Sequence, residues 1–397
     1  MPDSRRVLRA SAALSFAYFA AIGVFNPYAP LWYASMGLPV VAIGLLVSLI
    51  SWTRLFAPLL WGMVADRSGR RDRVLQAASL ACLLASLGLF QPPTVLGLGV
   101  AVFLLYAFSA AFVPLNDAII ASELQAQGGA IDPRRYGRVR LWGSAGFLFT
   151  VWVGGWWFER MGMAVFPATM VAALLMLVLA AARLPRPART QAVSHEAPPP
   201  LWPALRRPVV GWFFLALFFV LLAHVALYAF FSLYLDSLGY SKPQVGGLWA
   251  ASVVVEIAWF ALQGRWLRHE HLHRWLIAAA LLTSLRFAGT ALLGGQFWAV
   301  LLLQGLHAIT FAAQHTACIG LLARFFPGRL QARGQALYAV LGYGVSGVLG
   351  SLGGAALAQR AGYAACFWAA AVAGLLGALC HWRCARLDRV QAPVASS

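Results

Sequence analysis

Apolar residues along this chain come in runs of about twenty positions, not in the three-and-four spacing of a soluble amphipathic helix, and short arginine-rich clusters separate the runs. A helix needs about 20 mostly apolar residues to cross roughly 30 Å of hydrocarbon, and it satisfies its own backbone hydrogen bonds where no water can. The windows predict helices near 10–34, 39–64, 73–91, 96–122, 138–159, 163–183, 209–236, 243–265, 274–293, 297–323, 333–358 and 362–383. The pattern is that of an all-α polytopic membrane protein with about twelve spans.

Composition agrees: 61% of residues are hydrophobic and 11% charged, against roughly 45–50% and 25% in soluble domains. The first run follows Arg5, Arg6 and Arg9 as a signal peptide would. It continues past twenty residues through Pro27 and Pro30 without a small-residue cleavage site, so it reads as a retained span. The net charge of +18 does not indicate nucleic acid, because the basic residues form no patch and recur between spans. With the amino terminus in the cytoplasm, 25 of the 30 basic residues fall on the cytoplasmic side. Arg160, Lys242 and Arg360 then lie outside, and Arg54 and Arg286 lie within spans. The positive-inside rule thus predicts an integral inner-membrane protein with both termini cytoplasmic and the lipid bilayer as its surroundings.

The segment 184–208 is rich in proline and arginine and reads as a cytoplasmic linker between an amino-terminal half, 1–183, and a carboxy-terminal half, 209–397. The halves resemble one another. Met36-Gly37-Leu38, Ile43-Gly44, Arg54 and Gly62 precede Leu238-Gly239-Tyr240, Val245-Gly246, Glu256 and Gly264 by a constant 202 positions. Phe112 to Ala118 aligns with Phe311 to Ala317 at an offset of 199. The five cysteines form no disulfide framework, and Cys380 and Cys384 beside His381 read as ordinary span residues, so no metal is expected.

Between the second and third spans stands Gly62-Met63-Val64-Ala65-Asp66-Arg67-Ser68-Gly69-Arg70-Arg71. Gly62 would let a neighbouring helix approach, Gly69 would permit a tight turn, and Asp66 would accept charge-assisted hydrogen bonds from arginines or a helix N-terminus. Gly62, Asp66, Arg67, Gly69, Arg70 and Arg71 are therefore expected to act as a conformational lock. The segment closely resembles the signature loop of the major facilitator superfamily, Gly-x-x-x-Asp-Arg-x-Gly-Arg-Arg/Lys. Its second-half counterpart, Gly264-Arg265-Trp266-Leu267-Arg268, is degraded. The resemblance implies two pseudo-symmetric six-helix halves, alternating access and a solute site near the midplane between them.

Within that superfamily the chain is similar to the phenylpropionate permease branch, a neighbour of lactose permease and the nucleoside-proton symporters. The residues carrying this are Pro27 and Trp32, Arg54, Pro114-Leu115-Asn116-Asp117-Ala118, Tyr136-Gly137-Arg138-Val139-Arg140-Leu141-Trp142-Gly143-Ser144, and Leu306-His307 with His315.

A charge at the bilayer centre costs roughly 2.5–3.5 kcal/mol, so ionisable residues inside spans are candidate functional groups. Arg54, Asp117, Glu256 and Arg286 qualify, with His224, His307 and His315. Arg54 and Asp117 stand at depths within reach of one long side chain and are expected to pair. His307, Phe311 and His315 follow the i, i+4, i+8 spacing of one helical stripe, with Gln304 and Gln314 near it, and should face a cavity. Phe25, Tyr28, Trp32, Tyr228, Phe231 and Trp249 would suit an aromatic acid, although aromatic residues also anchor spans at interfaces. Kinks are expected at Asn26 to Pro30 and along Gly342, Gly344, Gly347, Gly350, Gly353 and Gly354.

Glu256 on span eight, Arg286 on span nine and a histidine on span ten resemble the pattern that couples proton to sugar in lactose permease, and imply a proton site. The positions three residues after His307 and His315 are Thr310 and Cys318, where that permease has a carboxylate one turn beyond its histidine. This departure argues against galactoside transport by the same residue set. The proton-coupling set is Glu256, Asp117, His307 and His315, and the solute-binding set is Arg54, Arg286, Asn26, Tyr28, His224 and Tyr228.

The expected function is proton-coupled symport of a small organic solute, either an aromatic carboxylate such as phenylpropionate or a sugar- or nucleoside-like compound. The proton is the coupling ion, no other cofactor is expected, and a monomer suffices. A proton-driven exporter is the rival within transport, and a non-transporting receptor is a rival outside it. A membrane-embedded enzyme would need chemistry that the sequence does not supply: there is no H-E-x-x-H pair, no G-x-S-x-G elbow and no long soluble domain. The single lysine, Lys242, stands before Pro243 without the glycine loop of an ATP-driven pump.

Overall fold

The computed structural model describes residues 4–125, 133–185, 200–265 and 271–391, and among them every regular element is helical. Six long helices come first: α1 (Ser4–Ser35), α2 (Val40–Ser68), α3 (Arg71–Phe90), α4 (Val95–Gln125), α5 (Pro133–Met161) and α6 (Met163–Ala182). Six more follow a single helical turn at Trp202–Leu205: α7 (Pro208–Ser237), α8 (Lys242–Leu262), α9 (Leu272–Leu293), α10 (Phe297–Phe325), α11 (Gln331–Ala361) and α12 (Tyr363–Val390).

Eleven of these helices are long and apolar enough to cross a membrane. The other, α5, carries Trp142, Trp152, Trp156 and Trp157 together with five glycines, residues that lower its mean hydropathy. Large apolar side chains also face outward, with Leu96 79%, Leu302 78% and Trp298 73% exposed, a surface suited to hydrocarbon and not to water.

The chain divides into two compact units, Met1–Ser194 with Gly239–Ala250, and His195–Leu238 with Ala251–Ser397. Of the expected linker, residues 186–199 lie outside the described residues, as do Trp266, Leu267 and Arg268 of the degraded loop.

In the first unit α1 lies along α5 and α6, while α2 and α3 pack on α4. The beginning of α8 belongs here because glycine lets its backbone sit directly on α1 and α5. The Tyr28 hydroxyl donates to the Val151 carbonyl at 2.5 Å, and a Cβ on Gly246 would stand 2.5 Å from that carbonyl oxygen and 2.6 Å from the Tyr28 oxygen. The Lys242 N–H also donates to Glu159 Oε2 at 2.9 Å. Helix α4 pauses at Ala110 and Ala111, because Pro114 has no N–H to give the Ala110 carbonyl and its ring crowds that position. The pause stands just ahead of Asn116 and Asp117.

In the second unit α9 and α7 both pack on α12, and α7 on α11. Leu217, Leu221, Leu276, Leu321 and Phe325 form one buried cluster among α7, α9 and α10. Three helices carry a stretch of π-helix: Ala226–Phe230 in α7, Ala308–Ala313 in α10 and Tyr338–Val345 in α11. Each adds a residue to a turn and turns the following side chains, a distortion often found at functional sites. Among the described residues all three lie in the second unit.

Candidate functional site

Helix α9 carries Arg286 into the middle of the second unit, where the side chain is fully buried. Helix α10 surrounds the guanidinium with acceptors. NH1 donates to His307 Nδ1 at 2.9 Å and to Thr310 Oγ1 at 3.2 Å, and NH2 donates to Gln304 Oε1 at 2.6 Å. On its other edge His307 presents Nε2 to Glu256 Oε2 of α8 at 3.3 Å.

Donor and acceptor rules fix the protons in this chain. A guanidinium only donates, so His307 Nδ1 accepts, and the proton of the neutral imidazole is on Nε2, directed at the Glu256 carboxylate. An imidazolium would point an N–H at the arginine's N–H. While Arg286 holds His307, that ring is therefore locked neutral and relays between the cation and the carboxylate. Glu256 keeps 23% of its side chain exposed, against 5% for His307, so it is the least enclosed member of the three.

The α10 stripe continues beyond the relay. The rings of His307 and Phe311 are parallel at 5.0 Å, and those of Phe311 and His315 are stacked at 6.4 Å. His315 Nδ1 meets the Tyr338 hydroxyl of α11 at 2.9 Å. His224 on α7 is fully buried, with its ring 6.4 Å from that of His307, and Tyr228 stands edge-on to Phe311 at 6.5 Å. The second unit thus brings Glu256, Arg286, His224, Tyr228, His307 and His315 into one neighbourhood.

In the first unit the expected pairing is different. Asp117 takes Arg140 of α5 as its ion-pair partner, Oδ1 to Nε at 3.5 Å, where the sequence suggested Arg54. The reason is that α5 begins at Pro133, several residues earlier than its apolar window, so Arg140 lies two turns inside a helix and its guanidinium covers the Phe19 ring at 5.1 Å. Ser15, Tyr18, Phe19, Asn116, Asp117 and Arg140 line a small crevice. Arg54 lies within electrostatic range of Tyr18 and Tyr106, and the Tyr106 hydroxyl donates to Asn26 Oδ1 at 3.2 Å. Tyr28 is buried, its hydroxyl committed to Val151.

The signature loop also departs from its expected contacts. Gly69 has φ +59° and caps α2 through its N–H to the Ala65 carbonyl, as a tight turn requires. A Cβ on Gly62 would meet nothing within 4 Å, so no close helix approach uses that surface. Asp66 and Arg67 are exposed. The carboxylate engaged by Arg70 is that of Asp72, at 3.0 and 2.7 Å, and Arg71 reaches Ser122 Oγ at 3.4 Å. Asp72 wins because it opens α3 two residues from Arg70, close enough for a two-pronged bond.

Arg140, Gln304 and Thr310 are the groups that sequence reasoning did not place in a site. Arg140 was legible only as part of the run entering the fifth span that carries the family resemblance, Gln304 only as a neighbour of the α10 stripe, and Thr310 only as the residue standing where lactose permease has a carboxylate.

Comparison with known proteins agrees with this fold. A family model described as "MFS_1 like family" matches residues 9–369. A "Probable 3-phenylpropionic acid transporter" of Escherichia coli (strain K12) is 30% identical over 366 residues, covering 91% of this chain and 93% of that protein. The "Maltose permease" of Geobacillus stearothermophilus is 27% identical over 354 residues, 87% of this chain and 86% of the relative. Among solved structures, a D323A mutant of the nucleoside transporter NupG superposes with a TM-score of 0.84 over 95% of this chain and 99% of its own, at 16% identity, a likeness of fold. With twelve long helices among the described residues and a family match over nearly its whole length, the chain belongs to the MFS_1-like family and is a transporter of the major facilitator superfamily.

Proposed function

We propose that this transporter is a proton-coupled symporter of a small organic solute, with Glu256 as the proton carrier. The observation that supports this reading is the sequence Glu256–His307–Arg286, in which a carboxylate is joined through a neutral imidazole to a fully buried guanidinium.

Ionised Glu256 balances the charge of Arg286 through the His307 ring. Protonated Glu256 still accepts from His307 Nε2–H, but Arg286 then has no counter-ion in a buried cluster. A buried cation without its partner is costly. The cost is relieved by release of the proton or by a strongly accepting group on the solute, which links the two cargoes. Asp117 keeps Arg140 beside it and serves as a solute contact, together with Asn116 in the same crevice.

The relatives' names point to three solute chemistries: a phenylpropionic acid, a disaccharide and nucleosides. The Phe311, Tyr228 and Phe287 rings around the relay suit a flat aromatic group, which places 3-phenylpropionate first in a screen. The arginine asymmetry between loops supports a plasma-membrane location with both termini cytoplasmic. The test is solute-driven alkalinisation in lightly buffered proteoliposomes challenged with 3-phenylpropionate, maltose and uridine. Alkalinisation with one of them supports symport, whereas solute uptake without proton movement refutes it.

A further inference from the structure

Two fully buried residues beside the relay each carry an atom without a hydrogen-bond partner, Nε of Arg286 and Nε2 of His224. The two atoms are complementary. The arginine Nε–H only donates. His224 Nδ1 lies 2.8 Å from the Val220 carbonyl oxygen, which only accepts, so Nδ1 carries the ring proton and Nε2 of the neutral ring is an open lone pair. Buried groups of this kind are rare in folded proteins and call for an explanation.

Position adds to the case. His224 stands edge-on to Phe287, the neighbour of Arg286, at 5.6 Å, and its ring is 6.4 Å from that of His307, the residue Arg286 already holds. The two histidines also share a backbone context: His307 immediately precedes the π-helical stretch of α10, and His224 lies two residues before that of α7. Both helices are therefore distorted just beyond a histidine of this cluster.

We propose that His224 is a second acceptor for Arg286, so that the guanidinium ties α9 to α10 when Glu256 is ionised and to α7 when Glu256 is protonated. This rests on the reading of Glu256 as proton carrier. The preference follows from polarisation along hydrogen-bonded chains. An ionised Glu256 pulls on His307 Nε2–H and enriches Nδ1, which strengthens the bond from Arg286. Protonation removes that pull. His224 has a neutral carbonyl behind it in both states, so its lone pair keeps its strength and becomes the better acceptor. His224 is then a positioning residue that converts proton occupancy on α8 into a change of helix partner for α9.

Other groups facing this cluster are His307 and His315 from α10, Tyr228 from α7, Glu256 from α8, and Tyr338 of α11 through its bond to His315. Helix α12 brings the Gly377 backbone against Val220.

The experiment reads the proton on Glu256 directly, by infrared titration of the protein in lipid, with the carboxyl band assigned by its loss in Glu256→Gln. If His224 holds Arg286 in the protonated state, removing the acceptor destabilises that state. The midpoint should then move toward acid by about one unit, a tenfold loss of proton affinity equivalent to about 1.4 kcal/mol, in His224→Phe and His224→Leu. His224→Gln, which retains an acceptor, should titrate within a few tenths of a unit of wild type. Coincident midpoints for wild type, His224→Phe and His224→Leu overturn the proposal, as does a Gln variant that follows the apolar ones. If Glu256→Gln removes no titrating band, it is the proton-carrier reading that fails, a result distinct from unmoved midpoints.

Discussion

Arg286→Met tests the relay where its energetics are most exposed. The substitution keeps the approximate length of the side chain but removes three donated hydrogen bonds, to His307 Nδ1, Thr310 Oγ1 and Gln304 Oε1, and it strips Glu256 of its counter-charge. Breaking a buried ion pair on one side costs about 3–5 kcal/mol, and the low end applies because the two charges are bridged by His307 and Glu256 is not fully enclosed. Removing both charges in Arg286→Met/Glu256→Gln leaves no orphaned ion, so the double variant should recover part of the loss, with a coupling of about 1–3 kcal/mol. The deficit of Arg286→Met alone should also narrow as pH falls, because a proton on Glu256 does what the arginine no longer does. Thermal unfolding of the four proteins in lipid nanodiscs, at neutral and acidic pH, reads all three expectations. Additive losses, or an Arg286→Met deficit that does not change with pH, would show that Arg286 and Glu256 are not coupled through His307.

In the first unit, Asp117→Asn should leave unfolding within about 1 kcal/mol of wild type, because the Arg140 pair is long and both side chains are roughly a quarter to a third exposed, yet solute uptake should fall sharply. A large loss of stability would make the pair structural. Gly246→Ala should lower the unfolding temperature, since its Cβ would meet the Val151 carbonyl oxygen at 2.5 Å and overpacking costs about 1–3 kcal/mol. An unchanged melting curve would contradict the close packing of α8 on α1 and α5.

Much of the fold was legible because hydrocarbon imposes one rule on every span. The twelve apolar windows and the constant offset between Arg54 and Glu256 required only composition and spacing. The ends were less legible, and α5 shows why: its first turns carry Arg135, Arg138 and Arg140, which a hydropathy window assigns to a loop although the helix continues through them. That shift hid the partner of Asp117. The His307–Phe311–His315 stripe was readable from spacing, whereas the π-helical turns were not, since no residue type marks an extra residue per turn. The signature loop was recognisable by residue order, but the choice of Asp72 over Asp66 by Arg70 depends on where α3 begins.

The central claim, that Glu256 carries the coupling proton, is tested most directly by comparing two activities of Glu256→Gln in one proteoliposome preparation. The substitution keeps the size of the side chain and an oxygen for His307 Nε2–H, so binding and exchange of solute across the membrane should persist. Solute-driven alkalinisation and uphill accumulation should be abolished. A Glu256→Gln protein that still moves protons with its solute would contradict the account.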